Sequence, residues 1–521
     1  MGSGPPQTRQ PPGPGLTPPG LVVCDSLKAA PAMTSTRLNP LDASWLYTES
    51  RATPMHVGAL LPFRLPADAP KDFGRRLMAE LKKHQKFAPP WNRRLKSSLL
   101  KMPVHYWIED DEIDLEAHLR HTALPHPGGE RELGELIARL HSQPLDLSRP
   151  PWECTLIEGL DDKRFAFFVK MHHSLIDGVS GMKLLQRSMP DDATKSLTMP
   201  PFWAIGLAPA RKNAKPKPER DASAPTFTNA AAGAIEALRG QIGTVPQLLL
   251  AFGKLLRASG PTDETLQMPF GAPASVLNGR VRSKRRFATQ QIPIARMKAL
   301  AEAAGCTLND LVLATCGGAL RRFLDDGGEL PEKSLTVGIP VSVRPQDDEN
   351  TGNAITFIIA TLGTDIADPI ARLAAIRASV QSAKAHVQSL PRQAMTQYTI
   401  ALMAPTLLTL LTGLGGRTRP MFNITISNVP GPDKPIYFRG AEMLGTFPAS
   451  IVTHGQALNI TCQSYAGMMD FGFTGCHASL PHMQRIAVYT GEAFDELEGL
   501  ILKPAKQPRA RRKPAATERA A

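Results

Sequence analysis

Alternating runs of apolar and polar residues predict a chain of mixed strands and helices from about residue 38 to residue 502. A nearly continuous apolar and aromatic run at residues 165–171 is typical of a buried strand. Apolar residues at helical spacing in residues 130–141 indicate an amphipathic helix instead. The same criteria predict further strands at residues 152–157, 281–291, 335–340 and 354–362, and further helices at residues 73–83, 294–304 and 309–323.

Composition divides the chain into five parts. The predicted parts are a disordered N-terminal tail (1–36), an N-terminal domain (37–190), a linker with amphipathic helices (191–274), a C-terminal domain (275–502) and a basic disordered tail (503–521). Both tails and the start of the linker are poor in apolar residues, which favours a mobile chain over a packed core. Within the linker, residues 229–258 regain apolar residues at helical spacing, which predicts helices there.

Residues 398–416 form an uncharged, largely apolar stretch whose length approaches that of a membrane span. Its threonines, its terminal glycines and Pro405 argue against a span, as does its position inside the second patterned region. A buried helix or a helix lying on a membrane surface is therefore the preferred interpretation.

Charge and cysteine usage narrow the classes of partner. The 521-residue chain has a formal net charge of +13, and residues 503–521 alone contain seven basic residues and one acidic residue. This excess suits anionic lipid, nucleic acid or a phosphorylated cofactor. The aromatic content of 6% shows no base-stacking pattern, so no nucleic-acid partner is expected. The six cysteines show no CxxC spacing, so no metal site is expected. Residues 1–19 contain no apolar signal core, which with the sparse cysteines predicts a cytoplasmic protein.

The segment after the buried strand carries the strongest chemical pattern, His172-His173-x-x-x-Asp177-Gly178. Residues 178–185 predict a helix start, so a histidine stands at a strand end with a carboxylate one short turn away. General acid–base catalysis needs such an imidazole on a rigid element. If the strand persists through the pair, the two rings point to opposite sides, and at most one faces the site. A purely structural histidine is the alternative, which the second histidine and the Asp-Gly pair disfavour.

Further motifs accompany this segment in a fixed order. They lie at residues 39–45, 53–58, 142–146, 149–153, 307–310, 340–344, 352–353 and 423–432. With residues 172–178, they resemble the bacterial wax ester synthase/diacylglycerol acyltransferase family over about residues 38–502, interrupted at the linker. Pro151 stands where the family has leucine, and its missing N–H is expected to disturb strand pairing. Residues 470–472 lie where related acyltransferases have a structural turn.

The resemblance implies an α/β fold of two chloramphenicol acetyltransferase-like domains, with mixed sheets flanked by helices and an active-site tunnel between them. It also implies transfer of a long-chain acyl group from acyl-CoA to diacylglycerol or a long-chain alcohol, making triacylglycerol or wax ester. His173 is the expected general base because it has the His-x-x-x-Asp spacing of related acyltransferases, and His172 is expected to support it. Asp177 is expected to fix the loop, with Arg344 one candidate partner. Asn309 is the expected oxyanion donor, with a backbone N–H as the alternative.

The remaining expectations concern partners. Acyl-CoA is expected as a co-substrate rather than a tightly bound cofactor, with its phosphates near basic residues of segment 280–286. Peripheral contact with the inner face of the membrane or with lipid inclusions is expected through residues 229–258, 398–416 or the basic tail. Three alternatives stay open. Asn309-Asp310 could cap a helix and have no catalytic role. The protein could also be a condensation-type acyltransferase using carrier-bound thioesters, or a catalytically silent lipid-surface scaffold.

Overall fold

The computed structural model describes residues 35–38, 40–96, 105–206, 265–342, 355–389 and 392–502, together with Met1, Gly2 and Gly4. The strands of this part are β1 (Ser35–Arg37), β2 (His56–Arg64), β3 (Arg93–Leu95), β4 (Tyr106–Glu109), β5 (Leu119–Ala123), β6 (Trp152–Leu160), β7 (Arg164–His172), β8 (Arg285–Pro293), β9 (Thr336–Ser342), β10 (Ile355–Thr361), β11 (Ile424–Val429), β12 (Tyr437–Phe438), β13 (Ala441–Met443), β14 (Phe447–Ala449), β15 (Leu458–Tyr465) and β16 (Met468–Cys476). Its helices are α1 (Pro40–Thr48), α2 (Phe73–Leu81), α3 (Leu115–His118), α4 (Glu130–Ser142), α5 (Gly178–Arg187), α6 (Ala193–Ser196), α7 (Ile294–Ala304), α8 (Leu308–Asp326), α9 (Pro369–Ser389), α10 (Arg392–Leu411) and α11 (Gln484–Leu502).

The N-terminal sheet is built around β7. Its strand order is β12-β13-β2-β7-β6-β5, and β14 pairs with β2 beside it. Both faces of β7 are covered, because Phe167 packs in the cluster around Trp152 while Phe168 packs in the cluster beneath α4. This double burial explains why the strand is apolar almost throughout. The antiparallel register of β2 and β7 places His56 directly opposite His172.

The C-terminal sheet has the strand order β10-β9-β11-β15-β16-β8. It is mixed, because β11 is parallel to β9 and β15 while the other pairs are antiparallel. The main core of the protein lies here and includes Leu311 of α8, Phe471 of β16 and Phe494 of α11. The predicted fold class, α/β with two mixed sheets flanked by helices, is confirmed.

Three short strands from the C-terminal region cross to the N-terminal sheet. β13 and β14 pair antiparallel with β2, and β12 pairs with β13. β14 also packs closely on β16, since a Cβ at Gly472 would lie 1.8 Å from the carbonyl oxygen of Pro448. Residues 275–502, predicted as the C-terminal domain, therefore supply strands to both sheets. The described residues from Ser35 onward belong to one compact unit.

The end of the predicted disordered tail is ordered. Ser35–Arg37 form β1 and pair antiparallel with β4, so this part of the predicted tail 1–36 belongs to a small three-stranded sheet. The sequence prediction was wrong for Ser35 and Thr36, because the partner strand that satisfies their backbone groups is distant in sequence. The predicted C-terminal tail, residues 503–521, lies outside the described residues.

The first part of the predicted linker 191–274 belongs to the N-terminal core. α6 lies at the start of this stretch. After it, Trp203 is fully buried, stacks on Trp152 and donates its indole N–H to the carbonyl of His84 at 3.0 Å. The linker prediction was wrong for residues up to about 204, because buried aromatic residues fix this stretch against the sheet. The helices predicted at residues 229–258 lie outside the described residues.

The uncharged stretch 398–416 overlaps α10, which continues through Pro405. Its last two turns, residues 405–411, are half-buried, and Leu414 in the following turn is 46% exposed. Within the described residues no single helix is long and apolar enough to cross a membrane. The bent pair of α7 and α8, at 98° to each other, meets the test of length and composition when the two are taken together.

Candidate active site

β7 and α5 hold the His-His-x-x-x-Asp-Gly segment from its two ends. β7 ends at His172, and α5 begins at Gly178. Asp177 is the N-cap of α5, because its Oδ1 accepts the backbone N–H of Ser180 and its Oδ2 accepts the Ser180 hydroxyl, both at 2.8 Å. The cap satisfies a backbone donor that a helix start leaves unpaired. The short turn is therefore fixed on both sides.

His172 is fully buried and its ring is held by two partners. The backbone N–H of Ser174 donates to Nδ1 at 3.2 Å, and the Ser174 hydroxyl lies 2.6 Å from the same nitrogen. Because Nδ1 accepts, the ring proton is assigned to Nε2, which lies 3.3 Å from Oε2 of Glu49. These contacts use both nitrogens of His172, so the ring has a supporting position rather than an open one.

His173 is half-buried at the end of the same strand. Its backbone N–H donates to the carbonyl of Met55 at 2.9 Å, and its ring stacks on Trp45 with centroids 4.3 Å apart. Nδ1 is buried and has no hydrogen-bond partner among the residues that the structure describes. Burial lowers the pKa of His173 to about 4, against the opposing charge of Asp177. The imidazole is therefore neutral near pH 7 and able to accept a proton.

Asp177 acts on His173 only through its charge. Within the described residues no hydrogen bond joins the Asp177 carboxylate to either histidine, and both of its oxygens bond Ser180. Asp177 is expected to fix the loop, and among the described residues it does so by capping α5. The arginine partner stays a prediction. Arg344, the candidate partner, lies outside the described residues.

Asn309 lies in the first turn of α8, in the C-terminal half. The cap of this helix is formed by Thr307 and Asp310, because Thr307 Oγ1 accepts the Asp310 N–H at 3.2 Å and the Asp310 carboxylate accepts the Thr307 N–H at 2.9 Å. Asn309 takes no part in this cap. In the described ranges no hydrogen bond connects Asn309 with His173, so its role as an oxyanion donor stays a prediction.

The basic segment 280–286 contains one buried arginine among exposed basic residues. Arg285 is only 4% exposed and donates to the carbonyl oxygens of Ala52 at 2.8 Å and Val452 at 3.4 Å. Burial lowers the pKa of Arg285 to about 10. Arg285 thus joins segments from both halves of the protein and is not accessible to a phosphate, which corrects the expectation for this residue. The exposed basic residues of the segment are Arg280, Arg282 and Lys284.

Pro151 does not interrupt strand pairing. Trp152 pairs with Met171 in register, and the carbonyl of Pro151 accepts the backbone N–H of His172 at 2.9 Å. The expected disturbance was wrong, because the contact to β7 at this position uses the proline carbonyl and not the missing N–H. Pro151 therefore helps to hold the end of the strand that presents the histidines.

Asp470-Phe471-Gly472 is not a turn but lies in the middle of β16. The buried carboxylate of Asp470 accepts the backbone N–H of Thr446 at 2.7 Å and the side-chain amide of Gln291 at 2.8 Å. Burial raises the pKa of Asp470 to about 7. These bonds tie β16 and β8 to the segment that crosses between the sheets, so the role of Asp470 is structural.

Glu49, Met55 and Trp45 are the contacts of the two histidines that the sequence analysis did not assign. Trp45 and Met55 lie inside motifs noted for their resemblance to a family, but neither has a local pattern that indicates stacking or bonding to a histidine. Glu49 has no local signal because its partner His172 is 123 residues away. Among the described residues no group of three His, Cys, Asp or Glu side chains could hold a metal ion.

Two family models and several known proteins match this chain over most of its length. The wax ester synthase/diacylglycerol acyltransferase catalytic domain model matches residues 38–312, and the corresponding C-terminal domain model matches residues 351–498. A Mycobacterium tuberculosis protein, provisionally named a diacylglycerol O-acyltransferase, is 46% identical over 498 residues, covering 89% of this chain and 98% of the relative. O-acyltransferase WSD of Acinetobacter baylyi is 37% identical over 467 residues, with the same coverage of both chains.

Solved structures show the same fold. The wax ester synthase/diacylglycerol acyltransferase of Marinobacter aquaeolei superposes with a TM-score of 0.72 at 35% identity, covering 89% of this chain and 98% of that chain. The first condensation domain of the calcium-dependent antibiotic synthetase superposes with a TM-score of 0.52 at 17% identity, covering 90% of this chain and 97% of that chain. At that identity the second match shows a shared fold alone.

Proposed function

Because the chain belongs to the wax ester synthase/diacylglycerol acyltransferase family, we propose that it transfers a long-chain acyl group from acyl-CoA to diacylglycerol or a long-chain alcohol. The observation that carries the proposal is His173, a neutral imidazole fixed at a strand end by Met55 and Trp45. General-base catalysis requires a neutral base held in one place. The products are triacylglycerol or wax ester and free CoA.

In the proposed reaction His173 takes the proton of the acceptor hydroxyl as its oxygen attacks the thioester carbonyl. The resulting tetrahedral intermediate carries an oxyanion, for which Asn309 is the candidate donor. The negative charge that develops beside the ring stabilises the imidazolium, which raises the basicity of a group with a low resting pKa. As the carbon–sulfur bond breaks, the imidazolium gives its proton to the leaving thiolate, and the ester and CoA are released.

One assay tests the proposal directly. The purified full-length protein is given palmitoyl-CoA with hexadecanol or dipalmitoylglycerol, and free CoA and the ester are measured. We expect release of CoA with at least one acceptor and a loss of about 100-fold or more for His173→Ala. His121→Ala is the matched control, since His121 lies on β5 and its side chain bonds Glu158 rather than any residue of the His172–Asp177 segment. No CoA release with either acceptor, or full activity of His173→Ala, would refute the proposal.

A condensation-type reaction on carrier-bound thioesters is the second candidate, because the condensation domain shares the fold. Offering the same acyl group on a carrier protein and on CoA separates the two candidates. Preference for CoA supports the proposal, and strict dependence on the carrier supports the alternative. A lipid-surface scaffold without activity is excluded by any turnover that His173→Ala abolishes.

The end of α10 and the turn after it, residues 405–419, are proposed to contact an anionic lipid surface. No charged residue occurs between Arg392 and Arg417, and Leu414 is 46% exposed. Arg280 donates to the carbonyl of Gly413 at 2.9 Å, which places a third cation beside this turn. Arg280, Arg417 and Arg419 are exposed and form no ion pair with any described residue. Apolar side chains flanked by unpaired cations favour an interface with anionic lipid.

Vesicle binding tests this surface. We expect the protein to bind vesicles of phosphatidylcholine and phosphatidylglycerol more tightly than phosphatidylcholine alone. Leu414→Glu should weaken binding to both kinds of vesicle. Arg417→Glu should weaken binding to the anionic vesicles by about fivefold or more. Leu197→Glu is the control, because Leu197 is a 54% exposed leucine at the end of α6 and outside residues 405–419. Equal binding of all variants would contradict the assignment.

A further inference from the structure

The segment from α1 to β2 contacts both histidines. It supplies three groups, which are the indole ring of Trp45, the carboxylate of Glu49 and the backbone of Met55. The two histidines lie at the end of β7, more than 100 residues later in the chain. The contacts are therefore tertiary, and each acts on a different part of the histidine dyad, His172 and His173.

Glu49 connects the ring of His172 with the backbone that holds His173. Its Oε2 accepts from Nε2 of His172 at 3.3 Å, and its Oε1 accepts the N–H of Met55 at 3.4 Å. The carbonyl of Met55 in turn accepts the N–H of His173 at 2.9 Å. The Glu49 side chain is only 13% exposed, so this carboxylate acts in a partly dry environment where such bonds are strong.

Trp45 fixes the remaining freedom of the dyad. A backbone bond to Met55 sets the position of His173 but leaves its ring free to rotate about the side-chain bonds. The indole lies over the imidazole with an interplanar angle of 29°, which restricts that rotation. The same aromatic face favours an imidazolium during proton transfer through a cation–π contact.

We propose that Glu49 and Trp45 are positioning residues of the acyltransferase, which act as a clamp on His172 and His173. Glu49 sets the orientation of His172 and the strand end, and Trp45 sets the ring plane of His173. The inference rests on the proposed function, because it assigns how the proposed base is held. Neither residue needs to touch the thioester.

Glu49 is tested by a split between kcat and KM. We expect Glu49→Ala to lower kcat by about 10- to 100-fold, because small displacements of a catalytic group cost this much. KM for palmitoyl-CoA should stay within about threefold, since the contact is not with substrate. Glu49→Gln keeps one of the two acceptor bonds and should restore kcat at least partly. Glu80→Gln is the control, because Glu80 pairs with Arg439 at 2.6 Å and contacts neither histidine.

Trp45 is tested by the pH profile of kcat/KM. Trp45→Ala lets water reach the ring, so the pKa of His173 should rise from about 4 towards its ordinary value of 6.5. The acid limb of kcat/KM should then move to higher pH, and kcat at pH 8 should fall by about 10-fold or more. Trp45→Phe keeps an aromatic face and should remain close to wild type. Trp91→Phe, a fully buried tryptophan outside this segment, controls for the loss of an indole.

The outcomes separate this inference from the proposed function. If the unmodified protein releases no CoA, the proposed function itself fails. If the unmodified protein turns over while Glu49→Ala and Trp45→Ala keep wild-type kcat, the clamp is refuted. It is also refuted if Glu49→Gln and Glu49→Ala lose equal activity, or if the acid limb is unchanged in a folded Trp45→Ala.

Discussion

Replacement of Asp177 decides whether this carboxylate serves α5 or His173. Both oxygens bond Ser180 at 2.8 Å, and neither bonds a histidine in the described residues. Asp177→Ala therefore removes a helix cap, which costs about 1 kcal/mol, and a favourable charge at a helix start, which costs about 0.5 kcal/mol. Asp177→Asn keeps an acceptor oxygen and should lose only the smaller amount.

The expected effect on catalysis is small for the amide. Since Asp177 is not bonded to His173, Asp177→Asn should keep kcat within about threefold of wild type. A carboxylate that orients a catalytic histidine directly is different, because replacing it by an amide costs about 10⁴-fold. The removal of the Asp177 charge also leaves the pKa of His173 low, so no new acid limb should appear near neutral pH.

The assay combines chemical unfolding, followed by circular dichroism, with CoA release at a temperature where every variant is folded. Asp177→Ser, with a side chain that also caps helices, serves as a second variant that keeps the cap without the charge. We expect the order of stability wild type, then the amide and serine variants, then alanine. If Asp177→Asn unfolds like wild type but loses as much activity as His173→Ala, the cap interpretation is refuted.

Three further predictions concern stability. Burial lowers the pKa of His141 to about 3, so its unfolded state binds the proton more readily than its folded state. The contribution of His141 to the free energy of unfolding should be fully present above pH 6.5 and fall by about 1.4 kcal/mol per pH unit below about pH 6. The unfolding midpoint should depend less on acid pH in His141→Gln. Arg285→Leu leaves the carbonyls of Ala52 and Val452 unpaired and should cost about 3 kcal/mol, measured by denaturant unfolding. Gly472→Ala places a Cβ 1.8 Å from a backbone oxygen and should abolish soluble folded protein, whereas Gly499→Ala, with open space, should not.

The sequence predicted the elements that local pattern determines. β7 follows from the apolar run at residues 165–171, and α5 follows from the helix start predicted at residues 178–185. The position of the histidines at a strand end was therefore accessible from sequence. The same holds for α8, whose apolar residues recur at helical spacing.

The missed features depend on pairing between distant residues. β12 to β14 are two or three residues long, and only pairing makes them strands, of β13 and β14 with β2 and of β12 with β13. Glu49 is a common acidic residue after a helix, and nothing near it in sequence indicates His172. Arg285 lies in a basic run of the sequence, and its burial depends on neighbours that only the fold brings to it. Local pattern thus placed the proposed base, while its surroundings required the tertiary structure.

The two halves of the protein meet at contacts that lead to the histidines. His141, at the end of α4, donates from Nε2 to the carbonyl of Ser450 at 3.0 Å. Its own carbonyl accepts from Nε2 of His56 at 2.9 Å, and His56 lies opposite His172 in the sheet. The donor of each of these two hydrogen bonds is a neutral imidazole, since burial lowers the pKa of both His56 and His141.

Arg285 provides a second connection, because it carries a cation from β8 to the carbonyl of Ala52, three residues before Met55. The C-terminal half therefore supports the strand pair under His172 and the segment that holds His173. Neither connection contains a carboxylate, so protonation of His141 would add a buried charge beside Arg285 and Lys170. The bond to the Ser450 carbonyl offsets only part of that cost. Acid should therefore loosen the contact between the halves and the setting of the proposed base together, which couples the stability of this interface to the geometry of the site.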